Sequence, residues 1–159
     1  LYARGRNLVR RLRPEVLDIL GLHGAIEDIV NLYDKAHPSC QFILQSDGDF
    51  TQLDGETSIA AYRIVQETLS NVVKHSGATL VSVRMVLKQE DQENHAVEIA
   101  IADNGVGFDL QETTPGIGLI GIQERVHAFN GQLNVRTAIN GGTTITIKLP
   151  VAINAQASK

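Results

Sequence analysis

Gln66-Glu67-Thr68-Leu69-Ser70-Asn71-Val72-Val73-Lys74-His75 is the stretch on which the reading of this chain turns. It closes a segment from about Glu56 to His75 in which Ile59, Tyr62, Val65, Leu69, Val72 and Val73 recur at helical spacing, and Ser76-Gly77 supplies the stop. On a helix, Glu67, Asn71, Lys74 and His75 stand at i, i+4, i+7 and i+8. They share one face, and it lies beside the apolar stripe rather than opposite it. A carboxylate, an amide, an ammonium and an imidazole stacked in this way suit a metal-bound polyphosphate. Oxygen from Asn71 or Glu67 can complete a magnesium shell, and Lys74 can neutralise phosphate oxygens as a point charge. The same residues also fit an ordinary amphipathic helix with a Glu-to-Lys pair on its wet side.

Two further stretches lie downstream. Thr79 to Leu87 alternates, with Val81, Val83, Met85 and Leu87 on one face, and Val97 to Ala102 is a second strand. Asp103-Asn104-Gly105-Val106-Gly107-Phe108 follows that apolar strand directly. An acid at a strand end before two glycines lets backbone approach a ligand, and its carboxylate can accept from an amino group such as the exocyclic amine of adenine. Asn-Gly also reads as a hairpin turn, but Phe108 to Thr114 is polar and mixed, not a returning strand. Gly116-Ile117-Gly118-Leu119-Ile120-Gly121 then matches G-x-G-x-x-G. The dinucleotide-binding reading of it fails: no strand precedes it, and no Asp or Glu occurs after Glu124. What remains is a glycine hinge opening a helix from about Leu119 to Phe129, whose N-terminus is a ready phosphate site. Gln132 to Thr137 and Thr143 to Leu149 form a hairpin pair around Asn140-Gly141-Gly142.

Upstream, Gly21 to Ala36 reads as a helix through Ile26, Ile29, Val30 and Tyr33, stopped by Pro38, and Gln41 to Gln45 as a short strand. Leu1 to Leu12 reads as a helix ended by Pro14. Arg4, Arg6, Arg10, Arg11 and Arg13 are read as its solvated face, opposite Leu1, Leu8, Val9 and Leu12. The chain begins at Leu1 rather than Met and is read as a piece of something longer; Ala152 to Lys159 is expected to be a disordered tail.

Composition narrows the classes. A length of 159 residues fits about one domain, and 43% hydrophobic with 20% charged residues is ordinary globular usage. Apolar runs are far shorter than the roughly 20 residues of a membrane helix. A net charge of −4 and 4% aromatic residues argue against nucleic-acid binding. The single Cys40 excludes an internal disulfide and a cysteine-rich zinc site, and the five histidines show no metal-ligand spacing.

Taken in order, these stretches resemble the ATP-binding domain of sensor histidine kinases, within the gyrase, heat-shock-90, histidine-kinase and mismatch-repair ATPase superfamily. Gln66-Glu67 through Asn71 to Lys74-His75 looks like the N box, and Asp103-Asn104-Gly105-Val106-Gly107 like the G1 box. Gly116 to Ile122 with Glu124-Arg125-Val126 looks like the G2 box, and Gly142-Thr143 with Ile145 to Pro150 like the closing Gly-Thr strand. The subtype resembles the nitrate/nitrite-sensor class. Three features carry this: the E-x-x-x-N-x-x-K-H form of the N box, the short span from Asp103 to Gly116, and Leu12-Arg13-Pro14 followed by Leu17 and Gly21-Leu22.

The resemblance implies an α+β, two-layer α/β sandwich of the Bergerat type, a mixed sheet with helices on one face. Residues 14–151 would be the ATP-binding domain and 1–13 the tail of a dimerisation helix. Asn71 would hold Mg2+, with Glu67 as a second ligand or water-orienting base, and Lys74 and His75 would face the phosphates. Asp103 would bind the adenine amine, buttressed by Thr143. Leu119 would line the nucleotide, and Gly105, Gly107, Gly116, Gly118 and Gly121 would let a lid at Asp109 to Pro115 close over ATP. The implied partners are the dimerisation/phosphoacceptor domain of the same protein, a homodimeric parent and a LuxR-type response regulator, with no nucleic acid. The implied location is a cytoplasmic domain of a parent anchored in the inner membrane. One departure stands out: the family's phosphoacceptor lies in a His-Asp or His-Glu pair, and neither dipeptide occurs here. A stand-alone ATPase or serine kinase of the same superfamily is the alternative.

Overall fold

Sheet alternation organises the molecule. The computed structural model describes residues 14–109 and 119–151. The expected helix Leu1 to Leu12, most of the expected lid, Gly116, Gly118 and the tail from Ala152 lie outside these residues. Helix α1 (Glu15–Ala36) leads to β1 (Gln41–Asp47), a short 3-10 turn (Phe50–Gln52) and α2 (Gly55–His75). Strands β2 (Leu80–Gln89) and β3 (His95–Asp103), helix α3 (Leu119–Ala128), and strands β4 (Gln132–Thr137) and β5 (Thr143–Val151) complete it. The five strands form one sheet in the order β1-β2-β3-β5-β4. β1 runs parallel to β2 and every other pair is antiparallel, so the sheet is mixed, as expected.

One face of the sheet is apolar. Val81, Val83 and Met85 of β2, Val97, Ile99 and Ile101 of β3, and Ile145, Ile147 and Leu149 of β5 are buried in a single core with α1, α2 and α3. The alternate residues, among them Arg84, Glu98 and Lys148, occupy the other face, where Lys88 and Glu98 pair at 3.0 Å and Lys148 pairs with Glu90. A period of two thus sorts the strands into a helix-covered side and a polar side.

The helices begin and end for local reasons. Asp54 caps α2: its carboxylate accepts from Thr57 N (3.1 Å) and from the Thr57 hydroxyl (2.6 Å). Gly77, at φ +62, follows the Ser76 cap and turns the chain into β2. Helix α1 begins at Glu15, six residues before the expected start, and is broken at Gly21 (φ 71, ψ 178). Pro14, read as the stop of a preceding helix, stands at the N-cap of this one. Strands β2 and β3 are longer than expected and meet at a turn in which Asp91 Oδ1 accepts from Glu93 N (2.9 Å) and Asn94 N (2.8 Å). Val73, expected in the buried stripe of α2, is 37% exposed.

Candidate functional site

The register of the sheet places the site. Val83, Ile101, Ile145 and Val135 are paired across β2, β3, β5 and β4, and so, two residues further toward one sheet end, are Val81, Asp103, Thr143 and Thr137. Since side chains two apart share a face, Asp103, Thr143 and Thr137 continue the helix-covered face and make its last row polar. Asp103 Oδ1 accepts from Gly105 N at 2.8 Å, and no donor among the described residues engages Oδ2. Thr143 is the β5 neighbour of Asp103, as the expected buttress requires. Its hydroxyl lies 2.9 Å from that of Thr137, which also accepts from Phe108 N at 3.1 Å.

The segment after Asp103 is wedged between two elements. Val106 N donates to Ser76 O at 2.8 Å, at the end of α2. Asn140 N donates to Val106 O at 2.6 Å and Gly142 N to Gly105 O at 3.0 Å, from the β4–β5 turn. A Cβ at Gly105 would run into the Ser76 carbonyl, and one at Gly107, where φ is +62, into that of Ala138. At these two positions the chain passes so close to other backbone that a side chain would block it. Asn104 adds a tie of its own: Oδ1 accepts from Thr79 N (2.9 Å) and Leu80 N (3.0 Å), and Nδ2 donates to Thr79 Oγ1 (2.9 Å).

Helix α2 supplies the other wall. Asn71 is half-buried, while Lys74 and His75 are exposed at its last turn. Among the described residues, no hydrogen bond or ion pair engages these three side chains. Glu67 differs. Its Oε1 accepts from Arg125 Nε and Nη2, both at 3.1 Å, so the carboxylate is tied to α3. Gly121 of α3 faces Glu67 Oε2, where an added Cβ would lie at 3.2 Å. Leu119 opens α3 and is half-buried against the core. Lys74 borders a recess with Tyr33, Ala36 and His37 at the end of α1. The residue types present fit a magnesium-bound nucleotide: an amide and an imidazole unengaged among the described residues near the end of α2, and a carboxylate with one open oxygen at the sheet end.

Sequence reasoning gave Arg125 and Asn104 no role beyond their place in the G2-like and G1-like stretches, and gave Thr137 none beyond its strand. Arg125 pairs with a residue 58 positions away, and no short spacing announces such a contact. Thr137 is visible only through the β4–β5 register. Among the described residues, no cluster of His, Cys, Asp or Glu is suited to hold a metal without a ligand, and no helix is long and apolar enough to cross a membrane.

Comparison with known proteins bears on the family and the fold. The chain is 35% identical over 150 residues to the signal transduction histidine-protein kinase/phosphatase DegS of Brevibacillus brevis, covering 94% of this chain and 37% of that one. It is 32% identical over 148 residues to the oxygen sensor histidine kinase NreB of Staphylococcus carnosus, covering 92% and 41%. The chain thus spans about two fifths of the length of these relatives. The histidine kinase domain of a blue-light activated kinase from Erythrobacter litoralis shares the fold, with a TM-score of 0.67 at 17% identity over 86% of this chain and 69% of that one. The profile of the histidine kinase-, DNA gyrase B- and HSP90-like ATPase family matches residues 56–153, from the first turn of α2 past the end of β5. With more than half of its residues in that match, the chain belongs to this ATPase family.

Proposed function

We propose that the chain is the ATP-binding catalytic domain of a two-component sensor histidine kinase. It binds Mg-ATP and presents the γ-phosphate to a histidine on a dimerisation domain, for relay to a response regulator of the LuxR type. The observation that carries the reading is Asp103. It stands at one end of the mainly apolar, helix-covered sheet face, in a row with Thr143 and Thr137, with one oxygen held by Gly105 N and the other open among the described residues.

In this reading the open oxygen accepts the adenine amine. It would oppose the carbonyl that guanine places there, so repulsion contributes to the choice of base. Asn71 offers its amide oxygen to magnesium, and Lys74 and His75 meet the phosphates from the end of α2. The metal would neutralise phosphate charge. Glu67 stands one turn before Asn71, beside the metal position. Gly116, Gly118, Leu119 and Gly121 bring the start of α3 against the nucleotide. Phosphoryl transfer asks a protein chiefly for positioning and charge neutralisation, which this set of residues provides. The dimerisation domain supplies the nucleophile, and the working parent is a homodimer with this domain on the cytoplasmic side.

Titration calorimetry with Mg-ATP and Mg-GTP tests the reading. ATP binds and GTP binds measurably more weakly. Equal affinity for the two would remove Asp103 from the base site.

A further inference from the structure

Of the four polar side chains that share the α2 face, only Glu67 is bound to another part of the protein among the described residues. Its Oε1 accepts two N–H groups of Arg125, and its Oε2 lies against Gly121. Gly121 and Arg125 are four residues apart, so both project from α3 toward α2. The helix that carries them is fixed: Ile122 and Val126 are both 0% exposed in the core. The pair itself is partly sheltered, with 34% of the Glu67 side chain and 27% of Arg125 exposed, unlike a freely solvated surface pair.

We propose that Arg125 is a positioning residue that holds the Glu67 carboxylate on α3 and away from water, so that the bound nucleotide is kept for group transfer rather than hydrolysed. The proposal rests on the nucleotide-binding reading above and deepens it. In hydrolysis, a water oxygen bonds the γ-phosphorus and the bond from that phosphorus to the bridging oxygen breaks. ADP leaves with the electron pair, and one water proton passes to a base. Glu67 is the carboxylate on this face placed to take that proton. Its Oε1 already receives two donors, and its Oε2 is turned to the α3 backbone. An imidazole attacks with its own nitrogen lone pair, so transfer to histidine calls for no water proton and is not slowed by the pairing. The departure from a stand-alone ATPase then lies in one arginine.

The test measures phosphate release by the chain with Mg-ATP, alongside calorimetric ATP affinity. Arg125→Met is expected to release phosphate about 100-fold faster, the lower end of what general-base assistance supplies, at unchanged ATP affinity. Adding Glu67→Gln to it returns the rate to that of the original chain, an effect that a loss of packing would not produce. Arg125→Lys, which keeps the charge but not the paired donors, falls between. An unchanged rate in an Arg125→Met protein that binds ATP normally overturns the proposal. So does a gain that survives Glu67→Gln, or a loss of ATP binding, which would place Arg125 on the nucleotide. Should Arg125→Met fail to fold, a folded Arg125→Lys with an unaltered rate overturns it equally. Failure of the original chain to bind ATP overturns the nucleotide site itself, and that is seen before any variant is made.

Discussion

In the proposed function, Asp103 and Asn71 divide the recognition of a nucleotide between base and metal, and each makes a separable prediction. Removing the Asp103 carboxylate deletes a charge-assisted hydrogen bond, worth about 1.5–3 kcal/mol, so Asp103→Ala should bind ATP roughly 10- to 150-fold more weakly by calorimetry. Asn71→Ala should instead abolish the magnesium-dependent part of ATP binding while the circular dichroism spectrum stays that of the parent, since Asn71 is half-buried and its side chain makes no hydrogen bond among the described residues. Unaltered Mg-ATP affinity in Asn71→Ala would count against the metal assignment. Cys40 offers a probe of the same sheet end. Burial pushes its thiol above the usual range, and the negative charges of Asp103 and Asp34 push it further. A raised thiol holds less thiolate at a given pH, so Cys40 should alkylate more slowly at pH 8 than a free thiol. Asp103→Asn, which removes one of the causes, should speed it. The Asp103, Asn71, Lys74 and His75 positions were legible in the sequence because each sits at a strand end or on a helical repeat. Arg125 and Thr137 were not, because their partners are reached only through the fold.

At the scale of elements, α2 is a buried strut at one end and, in the proposed function, a ligand wall at the other. Its N-terminal cap belongs to the strut. Asp54→Ala should cost about 1 kcal/mol in urea unfolding and leave ATP affinity unchanged. Its C-terminal end belongs to the site, where Ser76 O takes Val106 N and presses on Gly105. Gly105→Ala sets a methyl against a backbone carbonyl that cannot swing aside. It should cost about 1–3 kcal/mol and weaken ATP binding together, because Asp103 Oδ1 is held by the N–H of that same residue. Parental stability in Gly105→Ala would mean that the segment is not wedged there. The hairpin and the alternation of β2 were readable from period and turn residues alone. The break at Gly21 was not: a glycine before an apolar-periodic run signals a helix start as readily as a kink inside a longer helix. The extra length of β2 and β3 comes from pairing with each other, which draws in polar residues that no propensity assigns to a strand.

Across the whole molecule, a mixed sheet with one mainly apolar face carries the Asp103, Thr143 and Thr137 row at one end, and the end of α2 meets the chain just after Asp103. The sequence order of strands, helices and glycine-bearing loops already pointed to this architecture, because each element keeps its own period. Residue contacts between elements, such as Glu67 with Arg125, are properties of the assembled layers. The proposed function is a division of labour: the chain holds and presents ATP, and the histidine that receives the phosphate belongs to another domain. None of His23, His37, His75, His95 and His127 is followed by an acid, and His75 shares a helical face with Asn71 and Lys74 on the binding side. Incubation with γ-labelled ATP and magnesium, alone and with a sensor-kinase dimerisation domain supplied in cis or in trans, decides this. The isolated chain should stay unlabelled, and the added domain should carry an acid-labile, base-stable label. Stoichiometric label on the isolated chain, at His75 or any other histidine, would contradict the division of labour.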